Sequence, residues 1–351
     1  MPKPNLMGST RIEINGKIGW LFGANLPWIN CGIDFGESAW GAFGIGSAHP
    51  PADGIPLSSQ ALHNAFATMQ ANGVNVARWF LFFDGRAGIA YDHNGSPTGL
   101  DAKIIGDLDA ALGIARTYGI KIIFVLISFD WMYRKIPDNI TGGRSYILKS
   151  SDMRDALINN VFVPVFQRYA NDDSVLAYDV ANEPEWALTG DDLPAPTAIN
   201  GRSFDPVSLD DFTRFVTQVS LAAQQRAPEQ FVTLGSARAK WVGYWQNVGL
   251  DFYQFHYYPG TEEGRTLVEV LSDLPRDLNR PVWLGEIPAN VPGNAGFMTG
   301  LLEQAYSPRS TGGAGLAGAA PWSMQGVDDC GVADTEALRQ FYLAHAADIH
   351  Y

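Results

Sequence analysis

Apolar runs alternate with amphipathic segments along most of the chain. Eight runs rich in β-branched and aromatic residues are bounded by turn-forming residues, which is typical of buried strands. The segments between them carry apolar residues at helical spacing, and several end at Gly or Asn. These patterns predict strands at residues 21–25, 74–79, 120–127, 175–182, 231–235, 251–258, 281–286 and 315–322. They predict helices at residues 62–71, 101–118, 152–170, 209–226, 263–273, 295–306 and 336–346, with Pro164 kinking the third.

Strands and helices therefore alternate, with a short segment bearing Trp241 and Trp245 after the fifth strand. Most links from helix to strand are short, whereas several links from strand to helix are long. This asymmetry predicts an α/β fold, a (β/α)8 TIM barrel whose long loops lie at the carboxyl ends of the strands. The alternative is a doubly wound open sheet. All 351 residues fit one catalytic domain of this kind.

A β-hairpin is predicted before the first barrel strand, at residues 11–20. Its Asn15-Gly16 pair suits the type I′ turn of a two-residue hairpin. We expect residues 1–20, which include this hairpin, to close the bottom of the barrel.

The fourth predicted strand ends in an amide, a carboxylate and a proline. Its mostly apolar run is followed directly by Asn182, Glu183 and Pro184. Pro184 cannot continue a central strand and should restrict Glu183 to extended geometry. A carboxylate at the end of a buried strand is costly unless something uses it. The simpler alternative is a glutamate that caps the next helix or pairs with an arginine.

The seventh predicted strand ends in the same style, at Glu286 with Pro288 two residues later. On a barrel, the carboxyl ends of the fourth and seventh strands can face each other across the mouth. Retaining glycosidases need two carboxyl groups about 5–5.5 Å apart, one as acid/base and one as nucleophile. The alternative is two unrelated structural carboxylates. It is weakened because other polar residues are predicted at the same face: Asn25, Arg78, Ser128, Asp130, His256 and Tyr258.

Aromatic residues and charge narrow the class of partner. Eight of the ten tryptophans fall at or just beyond predicted strand ends: Trp28, Trp40, Trp79, Trp131, Trp186, Trp241, Trp245 and Trp322. We expect Trp28, Trp40, Trp131 and Trp186 to ring the mouth and to bind sugar faces. The net charge of −13 disfavours nucleic acid, acidic membranes and polyanionic substrates. No apolar run reaches membrane-spanning length.

The segment from Pro164 to Glu185 resembles the retaining glycoside hydrolases of clan A. It is most similar to family 5 and its β-mannanase and β-glucanase branches. Five signals, one of them inside that segment, come in the family's order along the barrel: residues 73–78, Asn182-Glu183-Pro184, His256-Tyr257-Tyr258, Gly285-Glu286 and Trp322. The resemblance implies a retaining hydrolase of a neutral β-linked polysaccharide or oligosaccharide, mannan-like or glucan-like.

The resemblance also implies a role for seven residues: Glu183 as acid/base, Glu286 as nucleophile, Asn182 at the sugar 2-hydroxyl, Tyr258 bonded to the nucleophile, Arg78 beneath it, His256 near the acid/base, and Trp322 under the non-leaving sugar. Such a pair needs pKa values that differ. Arg78 and Tyr258 should favour the charged form of Glu286.

One departure from the family concerns the third strand end. Many members have a histidine there, whereas this chain has Ser128-Phe129-Asp130-Trp131. The choice between mannan and glucan therefore stays open, and Asp130 is kept as a candidate substrate contact.

Other chemistries find little support in the chain. Residues 313–318 fit the dinucleotide fingerprint, but no strand precedes them and Pro321-Trp322 follows in place of a helix. The six histidines lack zinc-site spacing, and no Gly-x-Ser-x-Gly is present. We therefore expect a monomeric glycosidase with no cofactor and no metal. The rivals are a non-catalytic carbohydrate-binding barrel and a transglycosylase that uses the same two carboxylates.

Two features concern the ends of the chain and its cysteines. The start lacks a signal-like apolar segment, so we expect a cytoplasmic protein if the chain is full length and a secreted one if a signal has been removed. Cys31 and Cys330 follow the first and eighth strands, which are neighbours in a closed barrel. We expect the two thiols to approach each other, with two separate buried thiols as the alternative.

Overall fold

Eight parallel strands close into a barrel in this computed structural model, which describes residues 3–29, 32–36, 55–136, 142–289, 296–308, 312–327 and 331–349. The strands are β1 (Leu21–Asn25), β2 (Val76–Phe80), β3 (Lys121–Ser128), β4 (Val175–Asn182), β5 (Phe231–Ser236), β6 (Tyr253–His256), β7 (Val282–Pro288) and β8 (Gly318–Trp322). Each pairs with the next, and β8 pairs with β1. The (β/α)8 prediction is confirmed, and the open-sheet alternative is wrong.

The helices follow the strands as the periodicity predicted. They span Ile55–Ala71, Ile104–Tyr118, Ser145–Lys149, Ser151–Leu157, Val163–Arg168, Leu209–Arg226, Leu267–Val270, Phe297–Tyr306 and Thr335–His345. Leu209–Arg226 has the predicted bounds, because Ser208 caps it by accepting the Asp211 N–H at 3.1 Å. None of the helices in the described parts of the chain is both long and apolar enough to cross a membrane.

Two predicted helices are more broken than expected. The predicted helix 152–170 consists of two α-helical pieces, Ser151–Leu157 and Val163–Arg168, joined by a π-helical turn at Ile158–Phe162. Pro164 has no N–H to donate back along the helix, so the regular ladder is interrupted just before it. The predicted helix 263–273 is reduced to Leu267–Val270 and a 3-10 turn at Leu271–Asp273.

The N-terminal hairpin pairs Ile12–Ile14 with Lys17–Gly19. Asn15 and Gly16 have φ of 52° and 78°, as a type I′ turn requires. Ile12 and Ile14 are buried in one cluster with Leu6 and with residues near the starts of barrel strands: Leu21, Val76, Leu176 and Phe231. The hairpin therefore packs against the amino-terminal ends of these strands.

Two stretches predicted as loops at the opposite end carry small sheets of their own. The loop after β2 contains an antiparallel pair, Ile89–Tyr91 with Pro97–Leu100. The loop after β4 is held at its base by a parallel pair, Leu188–Thr189 with Val207–Ser208. These pairs give fixed positions to the segments around the mouth of the barrel.

Candidate active site

Polar side chains from non-neighbouring strands meet inside the carboxyl end of the barrel. Arg78 on β2 contacts Asp179 on β4 and Glu286 on β7, at 2.9 and 2.7 Å. Contacts of this kind across the barrel require the side chains to point inward. The residues joined in this way are Asn25, Arg78, Asp179, Asn182, Glu183, His256, Tyr258 and Glu286.

Glu286 is held by two donors at the end of β7. Its Oε1 accepts from Arg78 Nη1 at 2.7 Å, and its Oε2 accepts from the Tyr258 hydroxyl at 2.8 Å. Burial raises the pKa of this carboxyl, while the nearby His256 and Arg78 and the Tyr258 hydrogen bond oppose the rise. Both oxygens accept hydrogen bonds, one of them from a permanent cation, and these contacts favour the ionised form.

Gly285 makes room beside this carboxylate. A Cβ at this position would overlap the side-chain oxygen of Gln254 on β6. The glycine therefore lets β7 approach β6 closely at the level of the site.

Glu183 has an unusual backbone, because its φ is 47° and its ψ is 44°. The prediction of extended geometry is wrong, although β4 does end at Asn182 as predicted. Pro184 disfavours the right-handed helical region for Glu183, and the left-handed region is the other way to turn the chain sharply. The Glu183 N–H donates to Gly235 O at 2.7 Å and Pro184 opens a 3-10 turn, so both neighbours fix this strained conformation.

The Glu183 side chain has different partners from those of Glu286. His256 Nδ1 lies 2.7 Å from Oε1, and Trp186 Nε1 donates to Oε2 at 3.0 Å. Burial raises the pKa of Glu183 to about 7, partly opposed by the Trp186 hydrogen bond and the charge of Arg78. Burial also lowers the pKa of His256 to about 4, so its ring is neutral at pH 7. A neutral ring can donate to ionised Glu183 or accept from protonated Glu183.

The two carboxylates lie close together. One oxygen of Glu183, one of Glu286 and a ring nitrogen of His256 all lie within 4.8 Å of one another. Such a trio has the composition of a cation site. However, Arg78 and Tyr258 already occupy both oxygens of Glu286, and a metal ion would have to compete with the guanidinium charge.

Asn182 lies beside Glu183 in sequence and contacts Arg78. The fully buried Arg78 donates from Nη2 to Asn182 Oδ1 at 2.8 Å. Asn182 Nδ2 lies 3.5 Å from Ser128 Oγ, the long limit of a hydrogen bond. The amide nitrogen is therefore the group that Asn182 can offer to a bound molecule.

Ser128, which pairs with Asn182 across β3 and β4, links the site to Asp130. Asp130 Oδ2 accepts from Ser128 Oγ at 2.6 Å. Burial raises the pKa of Asp130 to about 7, with the Ser128 hydrogen bond opposing the rise. The Ser128–Asp130 pair thus lies at the end of β3.

Aromatic side chains flank the two carboxylates on opposite sides. On the Glu286 side, Trp28, Phe80, Phe83 and Trp322 pack together with Tyr258. On the Glu183 side, the half-buried Trp186 packs edge-on against Trp241, with ring centroids 5.1 Å apart. Each side thus carries one half-buried indole, Trp28 or Trp186, beside polar groups.

The prediction that Trp131 faces the mouth is wrong. Trp131 is fully buried in the core, and its indole N–H donates to Phe82 O at 2.9 Å. Trp79 and Trp245 are buried too, with indole partners Asp34 and Glu185. These rings lie at or near strand ends in sequence, but buried acceptors from distant segments draw their N–H groups inward. The predictions for Trp40, Cys31 and Cys330 fall outside the described residues.

Three buried polar residues were not among the candidates predicted from the sequence. Asp179 and Gln254 lie within β4 and β6, and Glu185 lies just beyond Glu183. Glu185 accepts from Ser236, Ala237 and Trp245. A carboxylate or amide inside a buried strand is itself a signal, since such groups are rarely buried without partners.

The chain is similar in sequence to curated proteins that share one activity. No family model matches the chain. A mannan endo-1,4-beta-mannosidase of Mytilus edulis is 23% identical over 279 residues, covering 72% of this chain and 71% of the relative. A mannan endo-1,4-beta-mannosidase of Cryptopygus antarcticus is 24% identical, covering 90% of this chain and 83% of the relative.

Solved structures show the same fold. The β-mannanase of the blue mussel Mytilus edulis has a TM-score of 0.74 at 21% identity, covering 100% of this chain and 99% of that one. A glycoside hydrolase family 5 mannosidase from Rhizomucor miehei has a TM-score of 0.59 at 12% identity, covering 99% and 98%. The resemblance noted in the sequence is thereby confirmed: the chain resembles the clan A retaining glycoside hydrolases of family 5, and the similar sequences are those of β-mannanases.

Proposed function

We propose that this protein is a retaining β-glycoside hydrolase that cleaves β-1,4-linked mannan within the polysaccharide chain. The observation that carries the proposal is a pair of carboxylates, Glu183 and Glu286, whose oxygens approach within 4.8 Å in different surroundings. Inverting enzymes keep their two carboxyl groups about 6.5–9.5 Å apart to admit a water molecule. The short separation favours double displacement with retention.

In the first step, Glu286 attacks the anomeric carbon and Glu183 protonates the departing glycosidic oxygen. The contacts with Arg78 and Tyr258 keep Glu286 as a carboxylate. A pKa of about 7 leaves Glu183 substantially protonated near neutral pH. The C–O bond to the leaving sugar breaks as the bond to Glu286 forms, which gives a covalent glycosyl-enzyme.

In the second step, Glu183 acts as a base. It takes a proton from water, and the oxygen of that water attacks the anomeric carbon and displaces Glu286. The neutral His256, 2.7 Å from Glu183, can hydrogen-bond either protonation state of the carboxyl. Two inversions restore the β configuration.

The substrate assignment rests on the mouth of the barrel and on the relatives. Both curated relatives are mannan endo-1,4-beta-mannosidases. Trp28 and Trp322 on one side and Trp186 on the other offer faces to uncharged sugars on an acidic protein. We propose that Asn182 and the adjoining Ser128–Asp130 pair contact sugar hydroxyls on the non-leaving side.

The proposal is tested with linear β-1,4-mannan, with β-1,4-glucan of similar length as the comparison substrate. We expect new reducing ends from mannan and many fewer from glucan. Proton NMR of the first product should show the β anomer before mutarotation. An α anomer formed first would contradict the retaining mechanism, and a preference for glucan would contradict the substrate.

A further inference from the structure

Asp179 is a fully buried carboxylate beneath the two catalytic glutamates. It lies on β4, three residues before Asn182, and its side chain reaches the barrel interior. Its Oδ2 accepts from Arg78 Nε at 2.9 Å and from Gln254 Nε2 at 2.8 Å. Its Oδ1 accepts from the Gly235 N–H at 2.9 Å. Three donors therefore satisfy a charge that would otherwise be very costly to bury.

The first connection of Asp179 runs to the nucleophile. Arg78 uses Nε for Asp179 and Nη1 for Glu286, so one planar guanidinium spans both carboxylates. Because the guanidinium is planar, the hydrogen bond at Nε fixes the orientation of the whole group. It thereby fixes the direction from which Nη1 donates to Glu286. Asp179 also shares the positive charge of Arg78, which Glu286 would otherwise face alone.

The second connection runs to the acid/base. Gly235 donates its N–H to Asp179, and its carbonyl accepts the Glu183 N–H at 2.7 Å. Glu183 has a strained left-handed backbone that depends on such anchoring. A Cβ on Gly235 would lie 2.8 Å from Arg78 Nη2 and 3.0 Å from His256 Nε2. Only a glycine lets this strand approach both groups.

We propose that Asp179 is a positioning residue for both glutamates, acting on Glu286 through Arg78 and on Glu183 through Gly235. This inference rests on the proposed function, because it takes Glu286 as the nucleophile. Asp179 touches neither glutamate side chain directly. Its effect should therefore appear in the rate of the chemical steps and not in binding of the sugar chain.

The test is Asp179→Asn, which keeps the shape and removes the charge. We expect kcat on mannan to fall about 100-fold with KM nearly unchanged, since misplaced reacting groups slow the chemistry. The acidic limb of the kcat/KM profile should move to lower pH. The groups that face Glu286 are Arg78, His256, Tyr258 and Glu183. With the Asp179 charge gone, Arg78 stabilises ionised Glu286 more strongly.

Thr233→Val is the matched control. Thr233 pairs with Asp179 across β5 and β4, is equally buried, and donates to Phe252 O at 3.0 Å. Loss of the Thr233 hydroxyl should lower the free energy of unfolding but leave the acidic limb of the kcat/KM profile in place. Unchanged kcat and unchanged pH dependence in Asp179→Asn would overturn the inference, and so would an equal shift of the limb in Thr233→Val.

A double-mutant cycle with Arg78→Lys tests the route of the effect. If Asp179 acts largely through Arg78, Asp179→Asn should cost much less in the Arg78→Lys background than in the native one. Full additivity would overturn the route. If Asp179→Asn does not fold, Gln254→Leu removes one donor from Asp179 instead, and a kcat equal to that of the native enzyme would contradict the inference. Failure of the proposed function is a separate outcome, because the unmodified protein would then not cleave mannan with retention.

Discussion

At the scale of residues, two glutamates acquire different chemistry from their neighbours. Glu286 meets a permanent cation and a phenol, whereas Glu183 meets a neutral imidazole and an indole N–H. The residue types are identical, so the difference lies in the donors that each strand end brings. The sequence predicts both strand-end glutamates, because each precedes a proline that ends its strand.

Trp186→Phe tests the environment of Glu183. The indole N–H lowers the pKa of Glu183 by donating to Oε2, so removing it should raise that pKa further above its ordinary value. Protonated Glu183 is the active form, and activity is lost as the pH rises through its pKa. The basic limb of kcat/KM on a short β-1,4-mannan oligosaccharide, whose leaving sugar needs an acid, should therefore move to higher pH.

Trp28→Phe is the control for this experiment, because Trp28 packs with Phe83 on the other side of the mouth. It should leave the basic limb in place. A limb that moves to lower pH in Trp186→Phe, or one that moves equally in both variants, would contradict the assigned environment.

At the scale of elements, the ends of β4 and β7 determine where the carboxylates lie. The predicted end of β4 at Asn182 is right, whereas β7 runs two residues past its predicted end at Glu286, to Pro288. The left-handed backbone of Glu183 is not predictable from the local sequence, because it depends on Gly235 from the neighbouring strand. The burial of Trp131 is not predictable either, because the acceptor of its indole N–H belongs to a segment distant in sequence.

Gly285→Ala tests the close approach of β7 to β6. A Cβ there overlaps Gln254, so we expect a loss of about 1–3 kcal/mol in the free energy of unfolding. Urea denaturation measures this. Gly300→Ala in helix Phe297–Tyr306 is the control: its Cβ meets nothing within 4 Å, and stability should rise by about 0.5–1 kcal/mol. Equal stability of Gly285→Ala and the native protein would contradict the packing argument.

At the scale of the whole molecule, the alternation of strands and helices was enough to predict the closed barrel. Strand order follows sequence order, so no long-range information was needed. The layer beneath the mouth was harder to predict. Asp179, Gln254 and Arg78 meet only because the barrel closes, and their contacts join strands that are far apart in sequence.

The most direct test of the central claim compares Glu183→Ala and Glu286→Ala on an activated aryl β-mannoside with added azide. In Glu183→Ala the nucleophile remains, and a good leaving group needs no acid, so Glu286 is still glycosylated. Azide then fills the vacated space and needs no general base. We expect rescued turnover with a β-mannosyl azide as product. Glu286→Ala should not form this β-azide, because no covalent intermediate can form on a methyl group. A β-azide from Glu286→Ala and none from Glu183→Ala would contradict the assignment of the two glutamates.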